Sequence, residues 1–490
     1  MCGICGYYGQ EAAHQPFPIP KIKHRGPDGT GVVSGENFKF GHTRLAIIDV
    51  ANGQQPMSNR DRSLCVIFNG EIYNHRKIRE ELKENHQFKT DCDTEVILHL
   101  YEEEGLKGLK KLDGMFALAI ATPEELVLAR DPIGIKPLYL QKDRQRTYFA
   151  SEIKACVEHS SICEFPPGTI YSSKSGYQSF YEVPEQYNPN LGWDECLAGL
   201  RTRLTKAVTK RLMADVPLGS FLSGGLDSSL ITALIKKQQE NLHTFSVSLP
   251  ESSDRQYAEL VSGHLGTIHH EIIVTPRELW DAIPEVIYYL ESYDRSLVRS
   301  AVANYYLAKL AASEVKVVLT GEGADELFAG YAYLNRFDNS NSLQRELWNI
   351  TQELHYTNLQ RVDRMTMAHG LEARVPFLDR EMISWAMGIP PQYKRNSAGV
   401  GKWCLREAFR EEGLLPEVIL DRPKEKFAEG TGIAAALAEI AEEKVSDGSY
   451  SWELAQGTPL RSKEEYYYFQ IFVAYFGREQ ALHLVGRSKS

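Results

Sequence analysis

The chain has 490 residues, which is enough for two to four domains with cores of their own. Hydrophobic residues make up 43% of it, charged residues 24%, and the formal net charge is −10. This balance argues against a general polyanion binder but allows a local cationic pocket for one nucleotide. The sequence shows no apolar run as long as a membrane span and no signal-peptide pattern at its start. With eight scattered cysteines, we expect a cytoplasmic protein whose thiols are mostly reduced and buried.

Cys2 directly follows a methionine whose removal is favoured when the next residue is small. The mature chain would then begin with Cys2, so that a thiol and a free α-amine belong to one residue. Because such an amine has a pKa near ~8, part of it is neutral at physiological pH and can accept the thiol proton, directly or through a water. Cys2 is therefore predicted to be a nucleophile that carries its own base.

The segments after Cys2 place polar side chains in a turn and at a strand end. Residues 24–29, His-Arg-Gly-Pro-Asp-Gly, predict a polar turn. Residues 41–49 predict a strand that carries Arg44, and residues 66–68 predict a short buried strand that ends in Asn69-Gly70-Glu71.

Further along, residues 90–95 predict the cap of a helix at 96–101, with acidic groups in its first turn. Residues 115–121 and 125–129 predict two strands joined by a turn.

Residues 2–185 resemble a class II glutamine amidotransferase domain, an N-terminal-nucleophile hydrolase. The resemblance rests on Cys2-Gly3-Ile4, residues 24–29, Arg44, Asn69-Gly70-Glu71 and Asp93. It implies a fold of two antiparallel sheets sandwiched between helix layers, an αββα arrangement, with Cys2 attacking the amide carbon of glutamine.

The other residues match the remaining needs of glutamine hydrolysis. The Asn69 side-chain amide and the Gly70 backbone N–H can stabilise the oxyanion. Arg44 offers a bidentate fork to the glutamine α-carboxylate. Asp93 can accept from the α-ammonium group, together with the main chain or carboxylate of Glu71.

The pattern of predicted strands and helices is interrupted at residues 181–193, where two prolines, two asparagines and a glycine predict a domain boundary. We therefore expect a glutaminase domain at 2–185 and a second, ATP-dependent domain at 194–490. A long helix is predicted from about residue 194 to about residue 213, where leucines recur at helical spacing.

The second half opens on Ser-Gly-Gly-Leu-Asp-Ser-Ser at residues 223–229, between a predicted buried strand at 217–222 and a helical pattern. A glycine-rich turn that leads into a helix N-terminus is suited to bind an anion. Asp227 would repel a bare phosphate unless a cation, most simply Mg²⁺, lies between them. The loop lacks the lysine of a Walker A motif and resembles the pyrophosphate-binding loop of ATP pyrophosphatases.

Strands predicted at 244–249, 269–274 and 315–320 alternate with helices, which indicates a doubly wound parallel sheet. Ligands of such sheets bind beyond the carboxyl ends of the strands. The candidate ATP-binding residues at these ends are Phe221, Ser223, Gly224, Gly225, Asp227, Ser228, Val247, Thr320 and Gly321.

A second chemical motif, Thr-Gly-Glu-Gly-Ala-Asp-Glu, occupies residues 320–326. Asp325 is expected to face the same edge as Asp227, so that the pair could share Mg²⁺ on the pyrophosphate. Glu322 could act as an acid, a base or a positioning group.

Residues 321–331 and 361–379 resemble the glutamine-hydrolysing asparagine synthetase family closely, and residues 422–430 resemble its late basic loop. The resemblance implies that Lys424, or less favourably Lys426, offsets phosphate charge during adenylation.

The joined halves resemble an enzyme that adenylates the β-carboxylate of aspartate with ATP and displaces AMP by ammonia from glutamine. The products would be asparagine, glutamate, AMP and pyrophosphate. The resemblance suggests a cytoplasmic homodimer that uses ATP, Mg²⁺, glutamine and aspartate, with no nucleic-acid or membrane partner. Because free ammonia is mostly protonated near neutral pH, we also expect a dry passage between the two sites.

The acceptor acid stays open at this point. Arg299 aligns with an arginine expected near the substrate, but residues 295–297 depart from the small hydroxyl-bearing residues commoner there. A relative that amidates another carboxylate is the first alternative. A non-catalytic sensor of glutamine or ATP is the second, and the intact nucleophile, oxyanion pair and aspartates disfavour it.

Overall fold

The computed structural model describes residues 2–143, 145–156, 161–250, 252, 254–424 and 433–488. None of the helices in these ranges combines the length and apolar character that a membrane span requires. All eight cysteines lie in them and are free thiols, and seven of the eight are buried.

Two six-stranded antiparallel sheets form the N-terminal half, in the orders β10-β8-β9-β1-β3-β2 and β12-β11-β7-β6-β5-β4. The strands of the first are β1 (Gly3–Gly9), β2 (Gly29–Ser34), β3 (Phe38–Arg44), β8 (Tyr139–Lys142), β9 (Arg146–Ala150) and β10 (Cys163–Glu164). The strands of the second are β4 (Met57–Ser58), β5 (Cys65–Ile72), β6 (Gly114–Ala121), β7 (Leu126–Arg130), β11 (Thr169–Ser172) and β12 (Gly176–Ser179).

The sheets pack face to face through apolar side chains that both contribute, such as Ile4 and Phe149 from the first and Ile67 and Leu128 from the second. The burial of individual strands agrees with their positions in the sheets. The inner strand β5 is buried at every residue, whereas the edge strand β2 alternates half-buried and exposed side chains. On its outer face the second sheet carries α1 (His75–Leu82) and α2 (Asp93–Glu104), which pack through residues such as Ile78 and Val96.

A five-stranded parallel sheet forms the centre of the C-terminal half, in the order β15-β14-β13-β16-β17. Its strands are β13 (Leu218–Phe221), β14 (His243–Ser248), β15 (Ile268–Ile273), β16 (Val317–Leu319) and β17 (Glu372–Arg374). The chain builds outward from β13 to β15 and then returns to β16 on the other side of β13. This reversal of strand order creates a switch point between β13 and β16, where ligands of such sheets bind. The predicted fold class, an antiparallel sandwich joined to a parallel sheet, is confirmed.

Helices surround the parallel sheet, and their limits follow ordinary end signals. One of them begins with a capping box between Thr275 and Glu278, with Pro276 in its first turn. The N-terminal half has one further short helix, α3 (Leu106–Leu109). The helices of the C-terminal half are α4 (Trp193–Lys210), α5 (Leu226–Lys236), α6 (Asp254–Leu265), α7 (Pro276–Leu290), α8 (Arg295–Ala312), α9 (Ala324–Leu327), α10 (Ser340–Gln352), α11 (Asn358–Met367), α12 (Arg380–Gly388), α13 (Pro391–Lys394), α14 (Trp403–Arg410), α15 (Glu417–Leu420), α16 (Ile433–Lys444), α17 (Asp447–Ala455), α18 (Lys463–Phe476) and α19 (Arg478–His483).

Two predicted strands have different ends in the structure. The strand predicted at 41–49 stops at Arg44, because the Arg44 guanidinium draws the backbone of residues 48–50 around itself. The strand predicted at 66–68 instead continues through Ile72, so Asn69-Gly70-Glu71 lie within β5 rather than beyond its end. Pairing with β6 along the whole strand explains the extension.

The two halves meet through buried ion pairs. Arg25, at the end of a short 3-10 helix (Ile19–Arg25), is fully buried and donates through Nη1 to Glu152 at 2.7 Å and to Asp363 of α11 at 2.8 Å. Arg364, the next residue of α11, donates to the Ser151 carbonyl at 3.0 Å. Since a buried charge without a partner is costly, these contacts fix how α11 sits against the N-terminal sheets.

Candidate active sites

Cys2 lies at the start of β1, where the two N-terminal sheets face each other. Its nitrogen donates to Asn69 Oδ1 at 2.9 Å, across from one sheet to the other. The Asn69 amide nitrogen, Nδ2, is buried and has no hydrogen-bond partner among the described residues. Burial raises the pKa of the Cys2 thiol, so the thiol stays protonated until a base removes its proton. The pairing leaves an amide donor available beside the predicted nucleophile.

Arg44 is held in place by main-chain oxygens. Its Nη1 donates to the Val50 carbonyl at 2.8 Å and its Nη2 to the Asp49 carbonyl at 2.7 Å. These contacts use neutral acceptors, so the positive charge of Arg44 remains available to an anion in the pocket. A small cleft brings Arg44 together with Cys2, Gly70, Glu71 and Asp93, all of which the sequence predicted to meet here.

The two acidic residues of this cleft are buried. Asp93 accepts a hydrogen bond from the Ile72 nitrogen at 2.9 Å, and burial raises its pKa. Burial also raises the pKa of Glu71 well above its usual range, and the nearby carboxylates of Glu372 and Asp93 raise it further. Glu71 Oε1 lies 3.6 Å from Nη2 of Arg374, which reaches over from β17. The C-terminal half therefore supplies two charged neighbours to this cleft, Glu372 and Arg374.

Arg25 also lies near Cys2, and the sequence predicted no role for it. Its Nε donates to the Cys2 carbonyl at 3.0 Å, and its other nitrogens reach Glu152 and Asp363. It therefore links the backbone of the nucleophile to α11. The sequence contained a signal, since Arg25 falls within the 24–29 turn.

A larger cavity of about 370 Å³ opens beyond the carboxyl ends of β13, β14 and β16. Most predicted ATP-binding residues line it: Phe221, Ser223, Gly225, Asp227, Ser228, Val247, Thr320 and Gly321. Gly224 is not part of this lining, and its carbonyl accepts from Arg422 at 3.1 Å. The loop is closed by Ser228 Oγ, which accepts from the Ser223 nitrogen at 3.2 Å.

The loops after β13 and β16 approach each other very closely. A Cβ added at Gly321 would lie 2.8 Å from the Asp227 Cβ, a distance that real side chains do not reach. The absence of a side chain at Gly321 is what lets the two loops, and with them Asp227 and Asp325, share one edge of the cavity.

Asp227 and Asp325 share a buried lysine. Lys402 Nζ lies 2.5 Å from Asp227 Oδ2 and 2.6 Å from Asp325 Oδ1, so the two carboxylates are close enough to share one cation. Lys424 Nζ lies 2.8 Å from Asp325 Oδ2. Burial alone would raise the pKa of Asp325, but the two lysines lower it below its usual range. Asp227 Oδ1 is buried and has no hydrogen-bond partner among the described residues.

Two further predicted residues line the same cavity. Glu322 forms a short ion pair with Arg361 of α11, two residues before Asp363. Arg299 donates through Nε to Glu464 Oε1 at 2.9 Å and through Nη2 to Oε2 at 2.5 Å, which fixes the orientation of its guanidinium group. Lys426, the second choice for the late basic loop, lies outside the described residues.

Lys402 is a further candidate functional residue for which the sequence predicted no role. It is 1% exposed and adopts a left-handed backbone conformation, φ 59°, just before α14. Nothing in its local sequence indicates a ligand, because its partners are Asp227 and Asp325, at least 77 positions away in the chain.

A nucleophile-bearing antiparallel sandwich joined to a parallel sheet with a phosphate-type loop defines a class of protein: a glutamine amidotransferase coupled to a nucleotide-dependent synthetase. Comparison with known families agrees. Residues 1–169 match the family described as glutamine amidotransferase domain, and residues 199–342 and 334–488 match the family described as asparagine synthase.

Curated relatives match over nearly the whole chain. "Asparagine synthetase [glutamine-hydrolyzing] 2" of Arabidopsis thaliana is 42% identical over 98% of this chain and 88% of its own length. "Asparagine synthetase [glutamine-hydrolyzing] 2" of Oryza sativa subsp. japonica is 40% identical over 94% of this chain and 82% of its own. The chain belongs to the glutamine-hydrolysing asparagine synthetase family, which confirms the predicted family and the predicted class of enzyme.

Among solved structures, the glutamine phosphoribosylpyrophosphate amidotransferase of B. subtilis aligns with 55% of this chain and 65% of its own, at 19% identity. The TM-score of this alignment is 0.32, a likeness too distant to support an inference about this protein.

Proposed function

We propose that this chain makes asparagine from aspartate, ATP and glutamine. Glutamine is hydrolysed at Cys2, and the ammonia displaces AMP from a β-aspartyl-AMP intermediate formed in the larger cavity. The products are asparagine, glutamate, AMP and pyrophosphate. Family membership supports the reaction, and the two separate pockets support its division into two steps.

The observation that carries the proposal is the pairing of Cys2 with Asn69. Once the residue before Cys2 is removed, its nitrogen is an amine that can take the thiol proton, and Asn69 Oδ1 at 2.9 Å orients that nitrogen. Sγ then attacks the amide carbon, while Asn69 Nδ2 and the Gly70 N–H stabilise the oxyanion. The protonated Cys2 amine then gives its proton to the amide nitrogen, the C–N bond breaks and ammonia leaves, and the remaining thioester is hydrolysed by water to glutamate.

Binding of glutamine follows from the charges around Cys2. Arg44, fixed by the carbonyls of Asp49 and Val50, can form a bidentate pair with the α-carboxylate. Asp93 and Glu71 can accept from the α-ammonium group. Because burial raises the pKa of both acids, an arriving ammonium favours their charged forms.

In the larger cavity, the proposed phosphate-binding groups are the Ser223–Ser228 loop, Lys402 and Lys424, which all line it. The β-carboxylate of aspartate attacks the α-phosphorus and pyrophosphate leaves. Arg299, held by Glu464, is the proposed contact of aspartate. Glu322, held by Arg361, is the proposed acid, base or positioning group when ammonia attacks the aspartyl carbon.

We propose Mg²⁺ as the metal of this cavity, held by Asp227 and Asp325. The fit rests on two half-buried carboxylates that share one cation and on Asp227 Oδ1, which lacks a hydrogen-bond partner among the described residues. Carboxylate oxygens are the ligands Mg²⁺ takes in nucleotide sites. The ion would offset negative charge on the phosphates.

Three further features are proposals that follow from the family. The predicted domain limits, 2–185 and 194–490, assign the two steps to separate domains. Ammonia is proposed to cross the buried junction of the two halves without reaching water. The protein is proposed to be a homodimer and to be cytoplasmic, a compartment whose reducing conditions agree with eight free thiols. Light scattering of the purified chain tests the dimer, and a monomer at working concentration would refute it.

The test is a pyrophosphate-release and asparagine assay with ATP and Mg²⁺, run with glutamine or ammonium. We expect Cys2→Ala to abolish synthesis from glutamine and to spare synthesis from ammonium, because only the first route needs the thiol. Cys163→Ala, which alters the exposed cysteine, is the matched control and should leave both routes unchanged. Equal loss of both routes in Cys2→Ala would contradict the two-site scheme. Release of pyrophosphate with another acid but not with aspartate would show a different acceptor.

A further inference from the structure

A second cluster of potential ligands lies on the N-terminal half, where the segment between α1 and α2 returns to α2. His86 of this segment and His99 of α2 lie with ring centroids 4.4 Å apart. Both rings point Nδ1 at the same atom, Glu102 Oε2: the distance is 3.5 Å from His86 and 2.8 Å from His99. Their side chains are 15%, 12% and 24% exposed for His86, His99 and Glu102, so an ion could reach them from solvent.

We propose that His86, His99 and Glu102 bind one divalent transition-metal ion of the zinc class. In a tetrahedral zinc site with bonds of about 2.1 Å, ligand atoms lie about 3.4 Å from one another. The two distances to Glu102 Oε2, 3.5 Å and 2.8 Å, lie on either side of that spacing, and the three residues offer ligand atoms within 4.8 Å of one another. Two imidazoles and one carboxylate are a ligand set that zinc uses, with its fourth position left to water.

The strongest support is the set of groups behind the ligands. A metal-bound imidazole usually donates its other N–H to a carboxylate, which fixes the ring and its tautomer. His86 Nε2 lies 2.9 Å from Glu103 Oε1. His99 Nε2 faces Glu95 Oε1 at 3.6 Å and has no hydrogen-bond partner among the described residues, so it needs only a small ring movement to donate.

The carboxylate ligand and one of the supporting acids are themselves fixed. Glu102 Oε1 accepts from Asn59 Nδ2 at 3.0 Å, which leaves Oε2 to the two histidines. Glu95 accepts from the backbone nitrogens of Lys89 and Thr90, each at 2.8 Å. His86 and Glu102 are therefore held by hydrogen bonds behind their ligand atoms, and the carboxylate that faces His99 is itself fixed.

Charge favours the same conclusion. With neutral imidazoles, the cluster holds the three negative charges of Glu95, Glu102 and Glu103. A divalent cation on the Nδ1 side would offset this charge, and each Nε2 would then face the carboxylate behind it, Glu103 for His86 and Glu95 for His99.

Another group of similar spacing, His243, His270 and Glu314, lacks this arrangement. Its two imidazoles bond directly to each other, with His243 Nδ1 3.0 Å from His270 Nε2, which uses up one ligand nitrogen of each ring. It serves as the comparison site in the experiment.

A metal at the proposed site would tie the segment between α1 and α2 to α2 itself. That segment leads directly into Cys92 and Asp93, which line the cleft at Cys2. The ion would therefore stabilise a wall of that cleft without touching glutamine.

The experiment uses the full chain without a histidine tag, stripped with a chelator and titrated with Zn²⁺ by calorimetry and with Co²⁺ by visible absorption. We expect one equivalent that His86→Ala and Glu102→Gln each remove or weaken at least about tenfold, and that raises the Tm of the wild-type protein. Glu103→Gln, behind His86, should weaken binding about 10- to 100-fold.

His264→Ala, in an exposed position of α6, is the matched control and should bind as the wild type does. Circular dichroism of each variant confirms that it is folded, and His86 lies in a connecting segment where alanine is easily accommodated. Failure of the wild-type chain to bind either metal would overturn the proposal. So would binding that survives in His86→Ala and Glu102→Gln, or that disappears only in His243→Ala.

Discussion

The two sites of this protein are built in opposite ways. The cleft at Cys2 is small and takes its predicted residues from the first 93 positions, and the amide of Asn69 orients the nucleophile. The cavity beyond the parallel sheet is larger and gathers residues from position 221 to position 488 around ion pairs among Asp227, Asp325, Lys402 and Lys424. The first relies on oriented neutral donors, and the second on compensated charge.

The difference matches the chemistry asked of each site. An oxyanion carries one developing charge, which two fixed donors can stabilise without reorganising. A triphosphate brings several charges at once, so its site needs cations, and those cations need acids to hold them before ATP arrives. α11 joins the two, since Arg361 contacts Glu322 in the cavity while Asp363 contacts Arg25 beside Cys2.

The largest effect is expected from a substitution that disrupts only the charged site in the larger cavity. We expect Asp227→Asn to lower asparagine synthesis from either nitrogen source by about 10³-fold, because it removes one of the two carboxylates that share a cation. Hydrolysis of glutamine should persist. Parallel assays of asparagine and glutamate formation measure both rates. Asp281→Asn, at a side chain that is 67% exposed on α7, is the control. Loss of glutamine hydrolysis in Asp227→Asn would show that the two sites are not separable in this way.

An intermediate effect is expected from the neutral site. Asn69→Asp keeps an oxygen for the Cys2 nitrogen but loses the Nδ2 donor and adds a negative charge where the oxyanion forms. Glutamine-dependent synthesis should fall about 10²- to 10³-fold, while the rate with ammonium stays at the wild-type value. Steady-state kinetics with each nitrogen source provide the measurement. The half-buried Asn37, whose amide donates to the Pro123 carbonyl at 2.9 Å and which lies outside the cleft, supplies the control Asn37→Asp. An equal fall with ammonium would contradict a role at the oxyanion.

The smallest effect is expected from a substitution that tests whether Arg44 binds glutamine. A Cβ added at Gly53 would lie 2.6 Å from Arg44 Nη2 and 3.0 Å from Cys92 Sγ, so Gly53→Ala must displace the guanidinium. We expect the KM for glutamine to rise about tenfold with kcat little changed, as for a contact made equally in the ground and transition states. Gly448→Ala meets no atom within 4 Å and is the control. A fall in kcat at constant KM would mean that the substitution acts on the chemistry rather than on glutamine binding.

Much of the fold could be predicted, because its signals are local. The alternation of strands and helices after residue 240 indicated the parallel sheet. The predicted limits of β14 and β15 were each shifted by one residue from those observed. Predictions were less accurate where tertiary contacts decide. β3 stops at Arg44 because a side chain captures the following backbone, and β5 runs to Ile72 because β6 pairs with it throughout. No pattern of polar and apolar residues encodes either event.

By itself, the sequence determined which groups could do chemistry, because Cys2, residues 69–71, residues 223–229 and residues 320–326 each keep their functional atoms within a few bonds of one another. The tertiary structure alone decided which distant charges meet them: Lys402 between Asp227 and Asp325, and Arg374 beside Glu71. These pairings depend on packing between elements far apart in the chain. Local periodicity holds no information about such distances, so only the folded chain can show which cation belongs to which acid.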